Sequence, residues 1–229
     1  MGAGVPKAFI DTAPTTTTAW GVLPTHPSQH LAPRTTILER TIATFMSDPS
    51  CQAVVVCAPS DWLEAAQKSL QAWKRVTVVP GGDTRQRSVF NGVKYLSDTL
   101  GTADNTVVLV HDAARCCISR DLISRIVEGT DRLGAVTAAV PVVDAMVRVI
   151  DGMTQEVVSR EGVWNVQTPQ GFHMGDLLRA HERAEDDGVS AMDDAALVRT
   201  VRPVHVVLGD RKNIKITTPE DLELVTKWI

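Results

Sequence analysis

From about residue 35 onward, short Val-rich apolar runs alternate with stretches whose apolar positions repeat at helical spacing. "TTILERTIATFM" puts Ile37, Leu38, Ile42 and Phe45 on one face and predicts a helix. "AVVVCAP" predicts a buried strand ending at Pro59, and Ser60 is placed to cap a helix over "DWLEAAQKSLQAW". "VTVVPGG" predicts a strand entering a Gly-Gly turn, and "SVFNGVKYL" a helix starting at Ser88. "TVVLV", "GAVTAAVPV" and "HVVLGD" predict further strands. "SRDLISRIVEGT" predicts a helix capped by Ser119, and "TPEDLELVTKWI" one capped by Thr218 with Pro219 at its first position. Such alternation predicts an α/β domain whose mainly parallel sheet is covered by helices on both faces. Ligands of such sheets bind at the carboxyl ends of the strands.

Two segments depart from the alternation. Residues 11–34 are Thr- and Pro-rich without a period and predict a surface loop inserted in one domain spanning 1–229. "VRVIDGMTQEVVSREGVW" carries two strand-like runs around Asp151-Gly152, a hairpin signal. Such a hairpin is either an arm that reaches a second subunit or a flap over its own site, and spacing alone leaves both open.

Composition narrows the classes. An apolar fraction of 44% suits one sizeable core. A net charge of -4 without a long basic run gives no push toward nucleic acid. No apolar run has membrane-spanning length, and the first residues lack the basic start and apolar centre of a signal peptide. The four cysteines, Cys51, Cys57, Cys116 and Cys117, form no CxxC pair and read as reduced thiols of a cytoplasmic protein.

The chemistry-bearing residues cluster at predicted strand ends. In "PGGDTRQRSVFNG", Gly81 and Gly82 allow close approach of a ligand to the backbone, and Ser88 offers a hydroxyl; an ordinary strand-to-helix loop would look the same. In "VHDAAR", Asp112 is a hard oxygen ligand suited to magnesium, and Arg115 suits a phosphate or carboxylate; a plain Asp112–Arg115 salt bridge is the competing reading. His111 reads as structural. Lys215 lies between Ile214 and Ile216 in a strand-like run and should meet an anion, unless its stem lies along the surface. "WNVQTPQGF" reads as a polar turn around Pro169. Lys, Arg, Asp, Gly and Ser, with no Ser-His-Asp set, suit phosphate chemistry with a divalent cation.

Taken in order, "GGDTRQRSVFNG", "VHDAAR", "PVVDAMVRV", "WNVQTPQGF", "DDAALV" and "NIKITTPEDL" resemble the 2-C-methyl-D-erythritol 4-phosphate cytidylyltransferase family. The resemblance covers about residues 35–229, together with "VPKAF" near the start. It implies a Rossmann-like α/β domain with a protruding β-hairpin arm. It implies transfer of a cytidylyl group from CTP to a methylerythritol phosphate, with release of pyrophosphate, in isoprenoid precursor synthesis. By the same resemblance Lys7 stabilises charge at the α-phosphate, and Arg160 and Lys215 position the sugar phosphate. Asp112 holds Mg2+, while Gly2, Gly82, Asp83, Ser88 and Ala113 lie around the nucleotide. Arg115, Asp144 and Thr168 are the remaining candidates on the acceptor side. The hairpin, about 141–164, becomes the arm of a homodimer, which favours the arm over the flap.

Some residues depart from the family pattern. The family opens with a strand and a Gly-rich loop of the form AAGxGxRMG, whereas the sequence here opens "MGAGVPKAF". The first strand and the loop arginine are therefore expected to be missing from residues 1–229, with weak CTP binding and slow turnover as the expected result. Ala145 and Met192 stand where the family often has a threonine near the acceptor, and Cys116 where it has a proline. These differences keep open a cytidylyltransferase for another polyol phosphate, such as ribitol 5-phosphate, and a non-catalytic paralogue.

Overall fold

The structure is a computed structural model, and it describes residues 36–100 and 103–228. Lys7, Gly2 and the Thr-rich segment 11–34 lie outside the described residues.

The chain runs α1 (Ile37–Met46), β1 (Val54–Ala58), α2 (Leu63–Leu70), β2 (Val76–Pro80), α3 (Arg85–Leu100) and β3 (Val107–Val110). It continues with α4 (Arg120–Leu133), β4 (Ala135–Pro141), β5 (Met146–Ile150), β6 (Met153–Val158) and β7 (Trp164–His173). It ends with α5 (Met174–Asp186), α6 (Asp194–Val198), β8 (His205–Leu208) and α7 (Pro219–Thr226).

Capping explains several boundaries. The Thr36 hydroxyl accepts from Glu39 N–H while the Glu39 carboxylate takes Thr36 N–H, which starts α1. Thr218 and Asp221 make the same reciprocal pair at α7, with Pro219 behind them. Ser119 accepts from Leu122 N–H at α4, and that helix stops at Gly134, whose φ of 81° suits a residue without Cβ. Ser60 and Ser88 are corrections. Ser60 lies inside a 3₁₀ turn over Ser60–Trp62 and caps nothing. α3 begins at Arg85, one turn before Ser88, because the Thr84 hydroxyl accepts Arg87 N–H.

The α/β class holds, and the sheet is mixed. β1 pairs with β2 in parallel, and β4 pairs with β8 in parallel. β3, β7, β4 and β8 form one four-stranded sheet in that order, with β7 antiparallel to both its neighbours. "WNVQTPQGF", expected as a turn, is therefore an inner strand. A proline argues against an inner strand because it cannot donate to the ladder. Here the ladder opens around it: Thr137 faces Gln170 and Ala139 faces Val166, so Ala138 alone stands opposite Gln167, Thr168 and Pro169. β5 and β6 form the hairpin over Asp151 and Gly152, both at positive φ, 49° and 78°.

The main core joins Val108, Val110 and Phe172 of the sheet to Leu177 and Ala180 of α5 and to Leu197 of α6. On the other face, α4 packs Leu122 and Ile126 on Val136 and Ala138. Both faces of the sheet are covered, so its strand ends are held rigidly. The hairpin stands apart, with Val147, Val149, Ile150, Met153 and Val157 all exposed.

Candidate active site

β3 ends at Val110, and the chain turns at once, with Arg115 N–H donating to Asp112 O at 2.9 Å. This places Asp112 at the carboxyl end of the strand. Thr168, buried on β7, fixes it there: its hydroxyl oxygen accepts Asp112 N–H at 3.0 Å. The same hydroxyl contacts His111 Nδ1 at 3.2 Å, and His111 Nε2 lies 3.2 Å from Arg115 O. A carbonyl only accepts, so Nε2 carries the proton and Nδ1 accepts from Thr168. Burial pushes the His111 pKa down to about 4, so the ring is the neutral donor and acceptor that this chain of bonds needs. His111 is thus the structural residue that the sequence suggests.

The carboxylate of Asp112 meets two cations. Oδ1 lies 3.2 Å from Arg85 Nε, and Oδ2 lies 2.8 Å from Lys215 Nζ. The side chain of Asp112 is 16% exposed. Burial pushes its pKa up, but the hydrogen bond and charge of Lys215, then those of Arg85, outweigh burial and hold it below the usual carboxylate range. Lys215 meets an anion, as its sequence neighbours imply. Its segment, however, is an extended loop and not a strand.

That loop is bolted to β7. Gln167 donates to Asp210 O at 2.9 Å and accepts Asp210 N–H at 3.2 Å. Asn213 donates to Thr168 O at 2.8 Å, and Ile216 N–H donates to Ala114 O at 3.0 Å. Arg115 donates to Asn213 O at 2.7 Å and makes no salt bridge to Asp112. The plain Asp112–Arg115 pair is therefore replaced by Asp112 with Lys215 and Arg85.

Arg85 is bound a second time. Its Nη1 lies 2.8 Å from Oδ2 of Asp194, whose Oδ1 lies 3.0 Å from His181 Nε2. The side chains of Asp194 and His181 are each 1% exposed. α6 is itself placed by Gln170 of β7, which donates to Thr137 Oγ1 and Asp193 Oδ2 and accepts Ala195 N–H, each at 3.0 Å.

The nucleotide-side candidates border the same rim. Gly81 N–H donates to Ala58 O at 2.8 Å, and Gly82 N–H donates to Ser88 Oγ at 3.0 Å. Ser88 also donates to Thr84 O at 2.9 Å, so it shapes the Gly-Gly turn from one helical turn inside α3. Asp83 is exposed on that turn. The carbonyl of Ala113 accepts from Thr41 Oγ1 at 2.9 Å, which ties the Asp112 turn to α1. Asp144 and Arg160 stand apart from this cluster, exposed at the root of the arm, where Arg160 donates to Val143 O.

Among the described residues, no three His, Cys, Asp or Glu side chains converge on one metal position. Asp112 still fits Mg2+ in the manner that suits that ion, one protein carboxylate completed by water and substrate phosphates. Its charged form is favoured, and its side chain reaches the surface of the rim.

A model of the family "IspD: 2-C-methyl-D-erythritol 4-phosphate cytidylyltransferase" matches residues 25–229. The chain belongs to this cytidylyltransferase family. A 2-C-methyl-D-erythritol 4-phosphate cytidylyltransferase of Geobacter metallireducens is 36% identical over 198 residues, 84% of each chain. One from Bacillus pumilus is 36% identical over 201 residues, covering 86% of this chain and 85% of that one. The crystal structure of the Thermus thermophilus enzyme has a TM-score of 0.73 at 35% identity, over 87% of this chain and 91% of that one. The Francisella tularensis enzyme has a TM-score of 0.76 at 29% identity, over 85% and 88%. As a member of the cytidylyltransferase family, the chain is a nucleotidyltransferase.

Arg85, Asp194 and His181 did not stand out in the sequence. Arg85 and Asp194 sit in the motifs "GGDTRQRS" and "DDAALV", but only the fold brings these two, 109 positions apart, within 2.8 Å. His181 lies in α5, a helix for which the alternation of runs gave no distinct signal.

Proposed function

We propose that this chain transfers the cytidylyl group of CTP to 2-C-methyl-D-erythritol 4-phosphate, releasing pyrophosphate. The observation that carries the reading is the Lys215–Asp112–Arg85 cluster at the carboxyl end of β3, in a chain of this family. An oxygen of the acceptor phosphate attacks the α-phosphorus of CTP. The new P–O bond forms as the bond to the β-phosphate oxygen breaks, and that oxygen leaves with the electron pair as pyrophosphate. No covalent intermediate with the protein is needed, so the protein's part is positioning and charge stabilisation.

Lys215 holds the acceptor phosphate with Arg115 and Thr168 supporting that side, while Arg160 and Asp144, at the root of the arm, serve the corresponding site of a second copy. Gly82, Asp83, Ser88 and Ala113 border the cytidine, and Lys7 and Gly2 belong to the phosphate end. Asp112 would hold Mg2+, which when bound would neutralise phosphate charge. Lys215 is 42% exposed, so its ammonium can turn from Asp112 to an incoming phosphate without opening the core.

The arm is read as the contact of a homodimer. Val147, Val149, Ile150, Met153 and Val157 leave it apolar and uncovered, and a two-stranded hairpin is marginal in water unless it packs on something. Among the described residues no helix is long and apolar enough to cross a membrane, and the site is read as acting in the cytoplasm.

The test is pyrophosphate release by the 229-residue chain with CTP, Mg2+ and a panel of polyol phosphates. Release with 2-C-methyl-D-erythritol 4-phosphate alone supports the reading. Preference for ribitol 5-phosphate replaces the acceptor, and no release with any acceptor leaves a non-catalytic paralogue.

A further inference from the structure

The buried pair Asp194–His181 lies behind the site, and the cytidylyl reaction as described does not use it. A carboxylate with 1% exposure is costly unless it is fully partnered, and this one has a partner on each oxygen. His181 holds Oδ1 and stacks on Phe90 of α3 at 5.6 Å with an 8° interplanar angle, so the pair is fixed between α3, α5 and α6. Arg85 reaches from Oδ2 to the carboxylate of Asp112. Arg85 and Lys215 bring two positive charges to the cluster, and Asp112 and Asp194 bring two negative ones. Without Asp194, Asp112 would stand alone between two cations, with a net positive cluster at the rim.

We propose that Asp194, held by His181, is a charge-balancing and positioning residue: it shares Arg85 with Asp112 and so keeps the Asp112 carboxylate able to take a divalent cation. Arg85 can then hold the Asp112 side chain in place without cancelling it. The inference rests on the functional reading above only in taking Asp112 as the cation ligand.

The test is Mn2+ binding to the whole chain, followed by electron paramagnetic resonance with CTP present and the acceptor omitted, beside thermal melting. Asp194→Asn keeps the shape and removes the charge. It should weaken Mn2+ binding roughly tenfold, the order expected for one unbalanced charge within a few ångström. Adding Arg85→Met to that variant removes the cation that Asp194 balances, and should bring Mn2+ binding back to within about threefold of wild type. A purely structural role predicts a lower melting temperature for both variants and no such recovery. Unchanged Mn2+ binding by folded Asp194→Asn overturns the proposal, as does a double variant that binds no better than the single one. If Asp194→Asn does not fold, Arg85→Met alone decides: binding no weaker than wild type supports the balance, and weaker binding overturns it. Pyrophosphate release by the wild type is scored separately, so a failed functional reading and a failed charge balance give different results.

Discussion

Acidification should weaken the fold through His111 before it titrates most carboxylates. His111 is half-buried and its ring is held neutral, its pKa drawn down from 6.5 to about 4 by burial. In the unfolded chain it protonates near 6.5. The stabilising contribution is therefore complete above about 6.5 and is lost as pH falls from there toward 4. Between pH 8 and pH 5 the loss is at most about 2 kcal/mol, and the partial exposure of the residue brings it nearer 1. For a chain of this size that corresponds to a fall of roughly 2–8 °C in melting temperature. The mechanism is local. A proton on Nδ1 removes the acceptor of the Thr168 hydroxyl, which then no longer lies in a fixed position to receive Asp112 N–H. The assay is urea unfolding of the wild type and His111→Gln at pH 8, 7, 6 and 5, read as the difference between the two proteins so that the other histidines and the carboxylates cancel. The wild type should lose about 1–2 kcal/mol more than the variant over that range. Parallel curves would refute the assignment of a neutral His111.

Thr168→Val should cost about 2–4 kcal/mol, since it leaves both Asp112 N–H and His111 Nδ1 without a partner; chemical denaturation measures this. Lys215→Ala should raise KM for the acceptor phosphate at least about tenfold while changing KM for CTP little, as steady-state kinetics with each substrate varied would tell. Chelation of divalent cations should stop pyrophosphate release, and Asp112→Asn should raise the Mg2+ concentration needed for half-maximal rate; a Mg2+ titration of activity checks both. Val147→Lys with Val157→Lys on the exposed arm should leave the chain folded but shift it toward monomer in light scattering.

The strands β1, β2, β4 and β8, the hairpin turn and most helices were legible in the sequence because each carries its signal locally. Four Val-rich residues in a row, a Thr-Pro cap or an Asp-Gly turn need no distant partner to be read. β7 was not legible. Its buried polar residues Gln167, Thr168 and Gln170 look like loop until their partners Asp210, Asp112 and Asp193 are known. The same holds for the site. Asp112 and Lys215 carry local signs, a strand end and a lysine among isoleucines, while Arg85 and Asp194 acquire meaning only through each other. Lys7 and Gly2 rest on family resemblance alone.

The ladder opening opposite Ala138 sets where the chain can accept extra residues. Side chains on a strand alternate between faces, so one residue inserted between Asn165 and Gln170 would turn the Thr168 hydroxyl away from the Asp112 turn. No flexible segment lies between that point and the rim to absorb the shift, because Gln167 and Asn213 clamp both sides of it. The tip of the hairpin is different. Asp151 and Gly152 end a ribbon whose length has no fixed relation to the clamp, and a graft there leaves the spacing of β7 untouched. A short peptide tag inserted at 151–152 should therefore leave the Asp112 cluster intact, whereas a single alanine added beside Thr168 should disrupt it.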